Sequence, residues 1–196
     1  SYKIYIISRK NKKSCYFLSM IEKTDVTIVG AGPVGLFAVF ELGLLNINTQ
    51  LIDNLDKVGG QCSELYPEKP IYDIPSRPTV TGQELTDELM KQINPFKPKF
   101  HLNQQVSSIE KIDDGWIVET TIGTKIQSKC VVIAAGAGSF VPRKPPVENI
   151  DKFENKNVLY SIRDKSILEN KKLLIAGGGD SALDWTNELS KKSDVT

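Results

Sequence analysis

The chain has 196 residues, with 25 Lys+Arg against 24 Asp+Glu and a formal net charge of +1; 40% of it is apolar and 25% charged. These values suit an ordinary globular protein and exclude collagen-like, low-complexity and wholly disordered chains. They also argue against a general nucleic-acid binder, which carries a basic excess, and against a membrane helix, since no apolar run approaches roughly 20 residues.

The charge is unevenly spread. Residues 1–19 hold Lys3, Arg9, Lys10, Lys12 and Lys13 and no acid, which leaves the rest of the chain mildly acidic. The apolar stretch from Tyr2 to Ile7 is too short for a signal-peptide core. Residues 1–23 therefore read as a basic leader, a disordered extension or upstream-translated sequence, with a targeting or membrane-surface arm as the alternative. Fold signals begin with Asp25–Val29, a short β-branched run ending at Gly30 that predicts a buried strand. Pro33 to Leu45 is apolar nearly all round, as in a helix packed beneath a sheet. Thr49–Ile52 predicts a second buried strand ending at Asp53. Gly59–Gly60 opens a long loop through Pro67, Pro70, Pro75 and Pro78. Thr81 and Glu84 then fit a capping box for a helix running to about Ile93.

From Phe100 to Ser128 the apolar period switches to two, with turn signals at Asp113-Asp114-Gly115 and Ile122-Gly123-Thr124, so a small antiparallel meander is expected. Cys130–Ala134 is again continuously apolar, with Cys130 expected in the core. Residues 140–157 are rich in proline and charge, as in an interdomain connection. Lys171–Ala176 predicts a last strand, Gly177–Gly179 a turn, and Ser181–Leu189 the start of a helix. At roughly 150 residues per domain, the length allows one domain and part of another.

Gly30-Ala31-Gly32-Pro33-Val34-Gly35 is a GxGxxG between a strand and a helix. Its first glycine permits the turn, its second lets backbone approach a pyrophosphate, and its third allows close helix–strand packing. The helix N-terminus then offers free N–H groups to phosphate oxygens. Asp53, at the end of the next strand, can accept ribose hydroxyls. Gly177-Gly178-Gly179-Asp180-Ser181-Ala182 is a second fingerprint of the GxGxxA form. Two such sites imply two cofactors, a flavin in the first and a nicotinamide in the second. Gly136 and Gly138 follow a third apolar strand, where the chain would pass close to the first cofactor. The three cysteines, Cys15, Cys62 and Cys130, form no CxxC, and His101 is the sole histidine. That removes zinc-finger patterns and suits a reducing cytoplasm.

The stretches GAGPVGLFA, GGQCSELYPEKPIYDIP, GAGSFVPRK and GGGDSALDW resemble the two-dinucleotide flavoproteins, and more narrowly the thioredoxin-reductase-like ferredoxin–NADP(+) reductases, over about residues 24–190. The resemblance implies an α/β, Rossmann-like FAD/NAD(P)-binding fold in three layers, a parallel sheet with a small antiparallel meander, followed by the start of a second Rossmann-like domain. Residues 24–140 would form the FAD-binding part and 141–196 the opening of an NAD(P)H-binding part, with more chain expected beyond. It also implies FAD and NADPH as cofactors, ferredoxin or flavodoxin as partner, and a cytoplasmic homodimer.

The cofactor contacts implied are Gly30, Gly32, Pro33, Gly35, Asp53, Gly60, Gln61, Tyr66, Val106, Gly136 and Phe140 for the flavin dinucleotide. For the nicotinamide dinucleotide they are Gly177, Gly179, Asp180 and Ser181. Asp53 would hold the ribose, Gln61 and Tyr66 the flavin side, Val106 the adenine region through its backbone, and Phe140 the ring. No general acid or base is implied. Thioredoxin reductases carry a CxxC where this chain has Leu159–Asp164 without cysteine, so thiol–disulfide exchange of that kind is not expected here. Another NAD(P)H-dependent FAD reductase and a non-catalytic fragment are the alternatives.

Overall fold

A computed structural model describes residues 21–139, 144–162 and 164–196. In chain order the first strands and helices are β1 (Glu22–Lys23), β2 (Val26–Val29), α1 (Pro33–Leu44), β3 (Thr49–Ile52), α2 (Gly60–Glu64), β4 (Pro70–Ile71), β5 (Val80–Thr81) and α3 (Gly82–Ile93). They are followed by β6 (Lys99–His101), β7 (Val106–Ile112), β8 (Gly115–Thr120), β9 (Lys125–Ser128), β10 (Cys130–Ile133), β11 (Lys172–Leu173), α4 (Asp180–Leu189) and β12 (Asp194–Val195).

Four strands, in the order β10-β2-β3-β6, form a wholly parallel sheet. Strands buried on both faces read as unbroken apolar runs because successive side chains point to opposite layers. Val26, Ile28 and Leu51 face one way, into a core with Leu36 and Val39 of α1 and Leu85, Leu89 and Ile93 of α3. Their neighbours face the other way. Ile52 packs with Val118 and Ile126 of the meander, and the Thr27 hydroxyl donates to Ser128 Oγ at 2.9 Å. Helices, parallel sheet and meander are thus the three layers expected.

The second sheet, β1-β9-β8-β7, differs from expectation at both ends. Phe100 and His101 belong not to the meander but to β6 of the parallel sheet, Phe100 packed against the helix-side core and His101 buried on the opposite face. Glu22 and Lys23, counted with the leader by composition, pair in parallel with Ile126 and Gln127 as the meander's edge. The capping box is present in both halves: Thr81 Oγ1 accepts from the Glu84 N–H at 3.2 Å, and the Glu84 carboxylate accepts from the Thr81 N–H at 2.9 Å.

Three further differences are local. The loop after Gly59 contains α2, a single helical turn. Cys130 is exposed rather than in the core, because β10 borders the sheet with β2 on one side only. The run Lys171–Ala176 yields only the two-residue β11, and α4 is complete and followed by β12, which pairs with β11 in parallel. Among the described residues no helix is long and apolar enough to cross a membrane.

Candidate functional site

In an open parallel sheet, ligands sit beyond the carboxyl ends of the strands, where neighbouring strands lead their connections away in different directions. Here β2 lies between β3 and β10, and the carboxyl ends of all three open onto a cavity of about 550 Å³. Val29, Ile52 and Ile133 form its floor. Gly30, Gly32 and Pro33, then Asp53, then Gly60, Gln61 and Tyr66 of α2 and the loop after it, Val106 at the start of β7, and Gly136 form its walls. Nine of the residues expected around the first cofactor therefore converge on one space, although they come from five separate chain segments.

The three glycines of the first turn do different work. Gly30 has φ +106°, and a Cβ there would stand 2.3 Å from the Ala134 carbonyl oxygen. A Cβ on Gly35 would meet the Gly30 carbonyl oxygen at 2.0 Å, so this residue lies behind the cavity and sets how closely α1 approaches β2. The Cβ direction at Gly32 is open except for Gly60 Cα at 3.8 Å. The Gly59 N–H donates to the Ala31 carbonyl at 2.9 Å, which holds the two glycine loops side by side. α1 begins with Pro33 at its first turn, has no acidic residue there and no side-chain cap, so its N-terminal N–H groups are available to an anion.

The buried Asp53 carboxylate accepts from the Ala31 N–H at 2.7 Å through one oxygen and from the Leu55 N–H at 2.9 Å through the other. Each oxygen keeps a further lone pair. Its backbone is held as well: the Asp53 N–H donates to the His101 carbonyl, and its carbonyl accepts from Gln104, both at 3.0 Å. Val106 opens β7 beside a register shift between Val106 and Ser108, which takes one residue out of the ladder with β8. Cys62 and Tyr66 adjoin each other on the α2 side, Sγ to hydroxyl 3.9 Å. Burial pushes the Cys62 thiol above its ordinary range and raises the Tyr66 phenol likewise.

Phe140 lies outside the described residues. Gly177, Gly179, Asp180 and Ser181 do not line this cavity. They form the turn into α4, where Gly179 is the N-cap, without a side-chain cap, and Asp180 places an acid in the first turn. Sequence reasoning overlooked Glu64, Gln104 and Gln105, which also line the cavity. The two glutamines directly precede Val106, so their position is the available signal; Glu64 lies one helical turn after Gln61, but the glycine- and proline-rich sequence around it predicts a loop.

A GxGxxG turn at the carboxyl edge of a parallel sheet, backed by a meander, defines a Rossmann-like α/β protein of the dinucleotide-binding class. The sequence pattern of the family described as pyridine nucleotide-disulphide oxidoreductase matches residues 65–196, and the chain belongs to that family. It is 62% identical over 168 residues to the ferredoxin–NADP reductase of Bradyrhizobium sp. (strain ORS 278), covering 85% of this chain and 49% of that protein. It is 59% identical over 171 residues to ferredoxin–NADP reductase 2 of Cupriavidus taiwanensis, covering 87% and 46%. The chain thus spans about half the length of these relatives. In fold it is similar to thioredoxin reductase of T. acidophilum, with TM-score 0.69, 22% identity, and coverage of 89% of this chain and 55% of that one.

Proposed function

We propose that this chain is the flavin-side part, with the opening of the nicotinamide-side part, of a ferredoxin–NADP(+) reductase. The cavity at the first glycine turn would hold FAD and the second turn NADPH. The carrying observation is that cavity. Its fit to a dinucleotide rests on the uncapped N-terminus of α1, the open Cβ direction at Gly32, and the Asp53 carboxylate fixed by two backbone N–H groups with lone pairs to spare. The names of the relatives supply the rest of the proposal, ferredoxin included.

In this reading the N–H groups at the start of α1 hold the pyrophosphate, Asp53 accepts ribose hydroxyls, Val106 meets the adenine side through its backbone, and Gln61 and Tyr66 bound the ring side. Phe140 would lie against the ring. Gly177, Gly179, Asp180 and Ser181 would hold the nicotinamide dinucleotide at α4. FAD held there would supply the redox chemistry, two-electron hydride exchange with a nicotinamide and two single-electron transfers to ferredoxin or flavodoxin. The side chains orient and exclude water; none is assigned a proton. A cytoplasmic homodimer completes the reading, resting on family resemblance and sparse cysteine.

The test is a titration of the purified chain with FAD, followed by fluorescence quenching and visible absorbance. Quenching to saturation, with NADPH-driven cytochrome c reduction appearing only when ferredoxin is added, supports the proposal. A colourless protein that quenches no flavin overturns it. Equal reduction without ferredoxin makes the chain part of another NAD(P)H-dependent FAD reductase.

A further inference from the structure

Glu64 ends α2 one helical turn beyond Gln61, is 6% exposed, and lines the cavity. Its Oε1 accepts from the Ser161 hydroxyl at 2.9 Å, a contact between residues 97 apart in the sequence. The segment that follows Glu64 continues the same junction. Lys165 Nζ stands 2.6 Å from Glu68 and 2.7 Å from Glu188, and Lys69 Nζ is 3.1 Å from Asp184. Asp184 and Glu188 lie four residues apart, hence on one face of α4, the helix that begins at the second glycine turn. Residues 64–69 therefore touch the first cavity on one side and the elements around the second turn on the other.

These contacts are not equal. The ion pairs are largely exposed, so solvent and salt weaken them. The hydroxyl–carboxylate bond is part-buried and charge-assisted, so it is screened less than the exposed pairs.

We infer that Glu64 and Ser161 are positioning residues that fasten the chain approaching the second glycine turn to the wall of the first cavity. Filling the cavity and ordering Leu159–Ile162 then favour one another. Coupling of this kind is reciprocal: the factor by which ligand strengthens the fastening is the factor by which the fastening strengthens ligand binding. The ligand half of this inference rests on the reading of the cavity as an FAD site.

The experiment is hydrogen exchange by mass spectrometry, with and without FAD, on the wild type, Ser161→Ala and Ser161→Thr, alongside FAD affinities. Without ligand, peptides covering Leu159–Ile162 should exchange about tenfold faster in S161A, and S161T, which keeps the hydroxyl, should restore the wild-type rate. FAD should slow exchange there in the wild type, and its affinity for S161A should fall by about the same factor, within the range usual for coupled sites. Equal exchange in S161A and wild type without ligand overturns the fastening, even where FAD binds. Faster exchange in S161A with no change in FAD affinity overturns the coupling. Wild type that binds no FAD, with S161A still exchanging faster, overturns the cavity reading and leaves the fastening standing.

Discussion

The two glycine-rich turns are spelled almost alike and built differently. At the first, Gly30 is held at positive φ with its Cβ position blocked by the Ala134 carbonyl, and Gly35 is blocked by Gly30 itself. At the second, Gly178 and Gly179 have nothing within 4 Å of a would-be Cβ, Gly177 has only the Ala182 Cβ at 3.3 Å, and none of the three lies at positive φ. The ends of the following helices differ in charge as well. α1 opens without an acid, whereas Asp180 already answers part of the positive end of α4. A fingerprint therefore specifies a strand–turn–helix junction, but the layers packed around it decide how rigidly that junction is held. The first turn sits over a core to which β2, β3, α1, α2 and α3 all contribute; around the second, Leu168 and Leu189 are the buried apolar residues among those described.

The comparison can be broken most sharply by adding one methyl group to each turn. Gly30→Ala should cost about 3–5 kcal/mol, from backbone strain plus overlap with the Ala134 carbonyl, and should abolish FAD quenching. Gly178→Ala should change stability by less than about 1 kcal/mol, read by urea unfolding. Similar losses at both sites would mean the second turn is as tightly enclosed as the first.

Asp53→Asn ranks next. The amide can satisfy only one of the two N–H groups that the carboxylate accepts, so about 1–3 kcal/mol of stability should be lost together with FAD affinity. A variant that binds FAD as the wild type does would remove Asp53 from the site.

A pH series sharpens the same contrast. His101 is buried on β6, its Nε2 2.8 Å from Gln50 Oε1, and burial holds its pKa below 6.5, with Lys99 adding to this and Glu22 opposing. Below pH 6.5 the unfolded chain binds a proton that the folded chain resists, so the protein should lose stability as pH falls from 6.5 to the depressed value. His101→Gln should flatten that decline in urea midpoints between pH 7.5 and 5. An unaltered slope would place the acid sensitivity elsewhere.

The smallest effects concern helix caps. Thr81→Ala should cost about 1 kcal/mol by removing the capping box of α3, whereas Gly179→Ser should gain a few tenths by giving α4 the side-chain cap it lacks. Thermal midpoints read both.

These contrasts also explain what could be read in advance. Thr49–Ile52, Val26–Val29 and the capping box at Thr81 were legible because strand period, glycine punctuation and cap chemistry act locally. Asp53 was legible from its place at the end of the strand after the first glycine turn, whereas Gln61, Tyr66 and Val106 were legible through family resemblance and not through spacing. Phe100 and His101 were misplaced because alternating apolar and polar residues mark a strand without naming its sheet, and the polar His101 is in fact buried. Cys130 was misplaced because an apolar run says nothing of which strand will stand at an edge. Glu64 was missed because a carboxylate buried by a partner 97 residues away leaves no periodic trace.

The bond from Thr27 to Ser128 ties together residues 101 apart, and the Ala134 carbonyl that blocks Gly30 lies at the same junction. Pairing so distant closes late, since the entropy of the intervening loop must be lost before the contact forms. The cavity should therefore be among the last features to form during refolding. A cofactor would then act on the finished protein, slowing its unfolding more than it hastens its folding.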